Sequence, residues 1–284
     1  MKKAKEYVGE YEQHRLLDKS KNTVDAYKTD LKQFFDFIGE KDLVDVKNPD
    51  IENYKNMLLS TGYKPMTVNR KLVSLRQYID FINKNEEIDL KIFLEIKQMK
   101  IQRQYALEEM LTKAEFDRMV KYAQDEEDLR SVAIFKTMYY TGMRVSEMLT
   151  MKIQDIYKED VTIIGKGRKA REIPMHEKLY EILNNYIRVR KAQPDNPYVF
   201  NGHGIGHLQR QRVNEIVKKY AGLAKVKLSK AHPHNFRHLT AIMLLDLGYK
   251  LSEIADFLGH SSVDTTRIYT RKTKKEKRQM INML

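Results

Sequence analysis

The 284-residue chain contains no cysteine. A disulfide framework, a thiol nucleophile and cysteine-ligated metal sites are therefore excluded. Long apolar runs are missing as well: no window approaches the roughly 18 uncharged apolar residues that cross a bilayer. The opening stretch MKKAKEYVGEYEQHRLLDKS is basic but has no apolar centre, so it does not read as a secretory signal. HExxH does not occur, and no paired carboxylates surround the polar motifs described below. The Gly-Lys-Gly at 165–167 lacks the spacing of a nucleotide-binding glycine loop. Internal repeats and low-complexity tracts are absent. These absences point to a bacterial protein of the cytoplasm with no cofactor and no metal.

Positive charge is what the chain has in excess. Lys and Arg number 52 against 39 Asp and Glu, a formal net charge of +13, with most of the excess after residue 105. Such a balance points to a polyanionic partner and says nothing of fold. The length suits two domains with a sizeable core.

The first hundred residues carry helical periodicity. NTVDAYKTDLKQFFDFIGE places Val24, Tyr27, Leu31, Phe34, Phe35 and Ile38 on one face, with Asn22 or Thr23 as the expected N-cap and Gly39 as the stop. NPDIENYKNMLLSTG opens on a Pro-containing helix start. In KPMTVNRKLVSLRQYIDFINK, residues Val68, Leu72, Leu75, Ile79 and Ile82 face inward, and Lys64, Arg70, Lys71 and Arg76 form the other face. A helix before residue 16 and a short one near Leu90–Ile96 complete an all-α domain over 1–97. Residues 98–107, in the basic and polar stretch KQMKIQRQYAL, read as a linker, and a second domain covers 108–284. Its start is marked by a capping box, Thr112 with Glu115. Helices are expected at about 128–141, 144–150, 176–193, 208–224, 235–247, 250–257 and 262–270. DVTIIGKGRKAREIPM alternates as two strands around a Gly-Lys-Gly turn, and a third short strand is expected near Met151–Ile156. The fold class is thus mainly α with a small β-sheet.

Four stretches set polar groups beside apolar helix residues: YYTGMRVSEM with Arg144, IIGKGRK with Lys166, HPHNFRHL with His234 and Arg237, and LGHSSVDTTRIYT with His260 and Tyr269. Each has an ordinary structural explanation by itself: a surface Arg, a solvated turn Lys, a helix-end His–Arg pair, a half-buried Tyr. Together they suit a phosphodiester. Two guanidiniums can hold the non-bridging oxygens and stabilise a pentavalent transition state. A tyrosine hydroxyl can attack phosphorus and form a covalent ester, given cationic neighbours and a proton acceptor. A lysine on a hairpin can protonate the leaving oxygen.

The order Arg, Lys, His-x-x-Arg, His, Tyr, with Tyr269 nine positions after His260, resembles the tyrosine recombinases, the phage-integrase and Xer-type family. The resemblance spans essentially the whole chain. It implies an N-terminal SAM-like core-binding domain and a C-terminal α+β catalytic domain, closed as a clamp around double-stranded DNA. Residue by residue, it implies Tyr269 as the nucleophile of a 3′-phosphotyrosyl intermediate, and Arg144 and Arg237 as the phosphate clamp. Lys166 is then the general acid, His234 the histidine linked to proton transfer from the nucleophile, and His260 a donor to the scissile phosphate. Glu147 matches a carboxylate that supports them. His232 and His238 are read as structural.

By the same resemblance, the helix opening at GHLQRQRVNEIVKKYA enters the major groove, with Arg210 and Gln211 on base edges and Arg212 on phosphate. Arg70, Lys71 and Arg76 are the DNA-contact candidates of the first domain. The apolar tail Met280, Ile281, Met283 and Leu284 is expected to dock into a neighbouring subunit of a tetramer on two duplexes. The implied activity is site-specific recombination through a Holliday junction, in the service of transposon co-integrate resolution, replicon-dimer resolution, inversion or integration of mobile DNA. The protein is then associated with the nucleoid when bound to DNA. With no separate arm-binding module before the first domain, a short Xer-like or transposon-encoded resolvase is the nearest type. A type IB-like topoisomerase and a catalytically dead DNA-binding protein are the competing readings.

Overall fold

A computed structural model describes residues 3–85, 87–88, 90–100, 109–164 and 170–259. The chain divides into two compact units, residues 1–103 and 104–284.

The first unit is built from α1 (Val8–Leu16), α2 (Lys21–Ile38), α3 (Asn48–Ser60) and α4 (Pro65–Lys84). Helix α2 packs on α1, α3 and α4 through the stripe expected from its periodicity: Val24, Leu31 and Phe34 are buried, and Tyr27, Phe35 and Ile38 are half-buried. Its N-cap is Ser20 rather than Asn22 or Thr23. The Ser20 and Thr23 hydroxyls lie 2.9 Å apart, and Thr23 is already inside the first turn. Gly39 ends the helix at φ +61°, in the conformational region that favours glycine. Val68, Leu72, Leu75, Ile79 and Ile82 of α4 are all buried, as their spacing requires. Aromatic edges fill the centre, with Phe34 against Tyr54 at 5.0 Å and Tyr11 against Tyr78 at 5.2 Å between ring centroids.

Two expectations for this unit need correction. Residues 90–100 form no helix. They run as irregular chain with Leu90, Ile92 and Ile96 buried, and side chains of the neighbouring helices take several of their main-chain groups. The Asn83 amide accepts from Ile92 N–H and donates to Ile92 C=O, both at 2.9 Å, and Asn69 does the same for Met99 at 2.8 and 2.9 Å. These two-sided amide contacts replace the bonds a helix would have supplied. The second correction concerns Lys71. It lies inside the unit, 5% exposed, with its amino group 3.0 Å from the carboxylate of Asp30. Asp30, 2% exposed within the apolar face of α2, also accepts from Arg70 Nη2 at 2.8 Å and Ser74 Oγ at 2.8 Å. A carboxylate this deep is tolerable only with such partners, and that demand draws Lys71 away from the outer basic face.

The second unit begins at α5 (Lys113–Asp125), where the Thr112 hydroxyl accepts from Glu115 N–H and the Glu115 carboxylate from Thr112 N–H. There follow α6 (Leu129–Thr141), α7 (Val145–Leu149), β1 (Asp160–Ile164), β2 (Ala170–Pro174), α8 (Glu177–Val189), α9 (Arg210–Leu223), α10 (His234–Asp246) and α11 (Leu251–Leu258). Helix α6 is the central member, in contact with α5, α7, α8 and α10. Its largely apolar sequence reflects that position, with Val132, Ala133, Ile134, Phe135 and Met138 all buried. β1 and β2 pair antiparallel with Val161 opposite Ile173 and Ile163 opposite Arg171. The third strand expected near Met151–Ile156 is instead a single bridge, Lys152 to Tyr198, leading into a 3₁₀ turn at Ile153–Tyr157. Asp155 accepts from Lys152 N–H at 2.9 Å and turns the chain before a strand can extend. Helix α8 stops at Val189, short of the expected residue 193. There Arg190 adopts extended backbone and donates to Tyr198 C=O at 2.6 Å and Asn196 C=O at 3.0 Å.

Candidate active site

The N-terminal ends of three helices meet around one open pocket. Arg144 is the N-cap of α7, Arg210 is the first residue of α9 and His234 is the first residue of α10. With Met143, Val145, Ser146, Asn214, His232, Pro233 and Arg237, these side chains line a cavity of about 230 Å³. That volume admits a phosphodiester group.

Local sequence explains how each member is placed. Gly142 ends α6 at φ +57°, and the chain then turns through Met143 so that Arg144 opens α7. A larger residue at 142 would have to displace the buried Leu258 side chain, because a Cβ there would lie 2.5 Å from a Leu258 methyl. The Gly142 carbonyl accepts from Arg237 Nη1 at 2.7 Å, and the Leu258 carbonyl accepts from Nη2 of the same guanidinium. Arg237 is thereby 2% exposed and held to the ends of both α6 and α11. Thr240, one helical turn on, ties α10 to α6 through Tyr139 C=O at 2.7 Å.

Arg144 is aimed by Glu147, three residues later in the chain. Glu147 Oε1 accepts from Arg144 Nη1 and Oε2 from Arg144 N–H, both at 2.8 Å. Arg144 Nη2 also reaches Gly259 C=O at 3.3 Å. The carboxylate is 7% exposed. Burial by itself would raise its pKa, but hydrogen bonds from Arg171, from Arg144 N–H and from the Arg144 guanidinium hold it below the usual carboxylate range. It therefore remains ionised at neutral pH. Arg171, on β2, is its second partner, with Nη2 to Oε2 at 2.8 Å and Nη1 to Oε1 at 3.2 Å. The sequence reading missed Arg171. Its only signal was position, a basic residue in a strand pair otherwise apolar on its inward side.

His234 is solvent-accessible, yet the concave walls around it displace much of its water. That desolvation, and after it the positive field of Arg237, push its pKa down from 6.5. The imidazole is neutral at pH 7 and able to accept a proton. His238 makes an edge contact with the His234 ring at 4.4 Å between centroids. His232, read as structural, lines the pocket, and partial desolvation lowers its pKa as well. Ser146 and Asn214 are further lining residues that the sequence reading passed over; Asn214 lies four after Arg210 and so shares its helix face.

Of the residues singled out from sequence, Arg144, Arg210, His234 and Arg237 come together here, with Glu147 directly behind. Gln211 and Arg212 are exposed on the first turn of α9, and Arg212 pairs with Glu215 at 2.9 Å. In the first unit Arg70 is half exposed and paired with Asp30, and the exposed Arg76 donates to Ile96 C=O. Lys166, His260 and Tyr269, the expected helix at 262–270 and the apolar tail lie outside the described residues, as does most of the expected linker.

Comparison with known proteins agrees over nearly the full length. Residues 109–276 match the phage integrase family, and residues 8–86 match the phage integrase N-terminal SAM-like domain. A tyrosine recombinase of Pseudothermotoga lettingae is 31% identical over 272 residues, covering 93% of this chain and 92% of its own. Tyrosine recombinase XerC of Pediococcus pentosaceus is 30% identical over 288 residues, covering 95% of each chain. Among solved structures, the XerH site-specific recombinase bound to palindromic difH substrate in a post-cleavage complex has a TM-score of 0.76 at 22% identity, over 91% of this chain and 78% of its own. The Tn1549 transposon integrase in complex with a circular intermediate DNA has a TM-score of 0.75 at 16% identity, over 100% and 99% of the two chains. No described helix is long and apolar enough to cross a membrane. With family matches in both units and relatives aligned end to end, this chain belongs to the phage integrase family as a Xer-type tyrosine recombinase, an enzyme of site-specific DNA recombination.

Proposed function

We propose that the pocket of Arg144, His234 and Arg237 receives the scissile phosphate of a duplex recombination site and that Tyr269 attacks it. The observation that carries this reading is the convergence of two fixed guanidiniums and a neutral imidazole from separate helix starts. The Tyr269 oxygen bonds to phosphorus as the P–O5′ bond breaks, leaving a 3′-phosphotyrosyl ester. The tyrosine proton passes to His234, and Lys166 delivers a proton to the departing 5′ oxygen. Arg144 and Arg237 neutralise charge on the non-bridging oxygens, and His260 donates to one of them. Arg171 and Glu147 keep Arg144 extended toward the pocket.

Two rounds of this exchange, through a Holliday junction, recombine two duplexes within a tetramer. The tail Met280–Leu284 then docks into a neighbouring subunit. The proposed biological setting is resolution of replicon dimers or transposon co-integrates, or integration of mobile DNA. Arg210 and Gln211 are the proposed base readers and Arg212, Arg70 and Arg76 phosphate contacts. With its amino group engaged by Asp30, Lys71 acts on DNA only by holding the helix that carries Arg70 and Arg76.

The test uses two labelled duplexes carrying the site found beside the gene. Joint molecules and exchanged strands are expected. A covalent adduct that only relaxes a single duplex points to a topoisomerase instead, and absence of any adduct contradicts the strand-transfer reading.

A further inference from the structure

Glu147 accepts four hydrogen bonds, two from Arg144 and two from Arg171. The second pair crosses from one structural element to another. Arg171 is the second residue of β2, and Glu147 stands on α7. The Arg171 side chain is 13% exposed and lies outside the set that lines the phosphate pocket. It is also pressed against the end of α11: a Cβ at Gly259, whose φ is +63°, would lie 2.8 Å from Arg171 Nη1 and 2.9 Å from its Cδ. Gly259 C=O is in turn an acceptor for Arg144. One guanidinium thus touches the carboxylate that aims Arg144 and the turn that caps the other side of Arg144.

Charge gives the arrangement a direction. With Arg171 in place, each oxygen of Glu147 is shared, and its negative charge is divided between two guanidiniums. Without Arg171 the whole of that charge falls on Arg144, from a carboxylate whose side chain is only 6% exposed. Arg144, already bonded to Glu147, would then be held more tightly by it and would have less positive field to offer an anion.

Resting on the phosphate-pocket reading above, we propose that Arg171 is a positioning residue for strand cleavage: by sharing Glu147 it keeps Arg144 committed to the scissile phosphate. Arg171 does not contact the DNA. It acts on the phosphate clamp, and the hairpin acid acts separately. A lysine at 171 keeps the charge but loses the two-pronged contact, so it cannot replace the arginine fully.

The experiment measures single-turnover adduct formation on a suicide substrate with R171K, E147Q and the double variant, each at saturating protein. Melting curves and half-site gel shifts are run beside it. R171K is expected to cleave 10-fold to 100-fold more slowly, with half-site affinity within about threefold of the parent. The loss should persist on a substrate with a 5′-bridging sulfur, which needs no acid, because Arg144 and not Lys166 is the group disturbed. In the E147Q background, R171K should add little.

Any one of these results overturns the proposal: parental cleavage by R171K; full rescue of R171K by the sulfur substrate; or losses that multiply in the double variant. A melting temperature and half-site affinity that fall together with cleavage in both single variants also overturn it, since they mark a purely structural tie. The unaltered protein is the control that separates the two levels. If it forms no adduct, the strand-transfer reading fails and takes this inference with it. If it forms adduct and R171K matches it, this inference alone fails.

Discussion

Arg237 donates to the carbonyl of Gly142 across 2.7 Å, joining the first turn of α10 to the chain two residues before Arg144. The two arginines proposed to grip the phosphate are therefore not independent. The glycine that lets the chain turn toward Arg144 is the same residue that anchors Arg237.

This makes Gly142→Ala a sharp test of the linkage. The substitution places a Cβ at φ +57°, costing about 1–2 kcal/mol. It also forces that carbon against Leu258 in a filled core, adding about 1–3 kcal/mol. Urea unfolding should show a lower midpoint with an unchanged slope. Under conditions where the variant is fully folded, adduct formation should still fall at least tenfold, because both guanidiniums shift. Gly39→Ala, whose Cβ would meet nothing within 4 Å, should leave cleavage unaltered.

Acid should destabilise the protein through His234. Its pKa is lowered in the folded state, so the unfolded chain binds the proton more readily. Stability from this group is fully present above about pH 6.5 and is lost as pH falls from there through the depressed folded value. Melting temperatures between pH 8 and pH 5 should decline more steeply for the parent than for His234→Asn. His232 shifts in the same direction, so the double variant should be flatter still. A parent curve no steeper than that of the variants would show that His234 is not desolvated in solution.

Much of the core was legible in sequence because burial follows period. The stripes of α2 and α4 and the box of Thr112 and Glu115 depend on neighbours three and four residues away. What escaped depends on contacts at long range. In residues 90–100 the main-chain groups of Ile92 and Met99 are taken by Asn83 and Asn69, so local propensity was overridden by partners distant in the chain. Lys71 was drawn inward by a carboxylate 41 residues earlier. The site shows the same division. Arg144, His234 and Arg237 were recognisable as motif members, whereas Arg171 matters only through Glu147, 24 residues earlier in the chain and on another element.

For Lys166→Ala, the expectation is a cleavage rate lowered by about 10²–10⁴ on an ordinary phosphodiester. A 5′-bridging phosphorothiolate, whose leaving group needs no proton, should restore most of it. Quenched-flow or gel assays of the two substrates, side by side, check this. Equal defects on both would remove Lys166 from the role of acid.

The most direct measurement of the central claim is covalent trapping by the parent protein and by Tyr269→Phe on a nicked, 3′-end-labelled suicide substrate. The parent should yield a protein–DNA adduct stable to detergent, with the label retained on protein and a free 5′-hydroxyl released. Tyr269→Phe should bind the half-site with unchanged affinity and yield no adduct. An adduct formed by the Phe variant, or no adduct formed by the parent, would contradict the account.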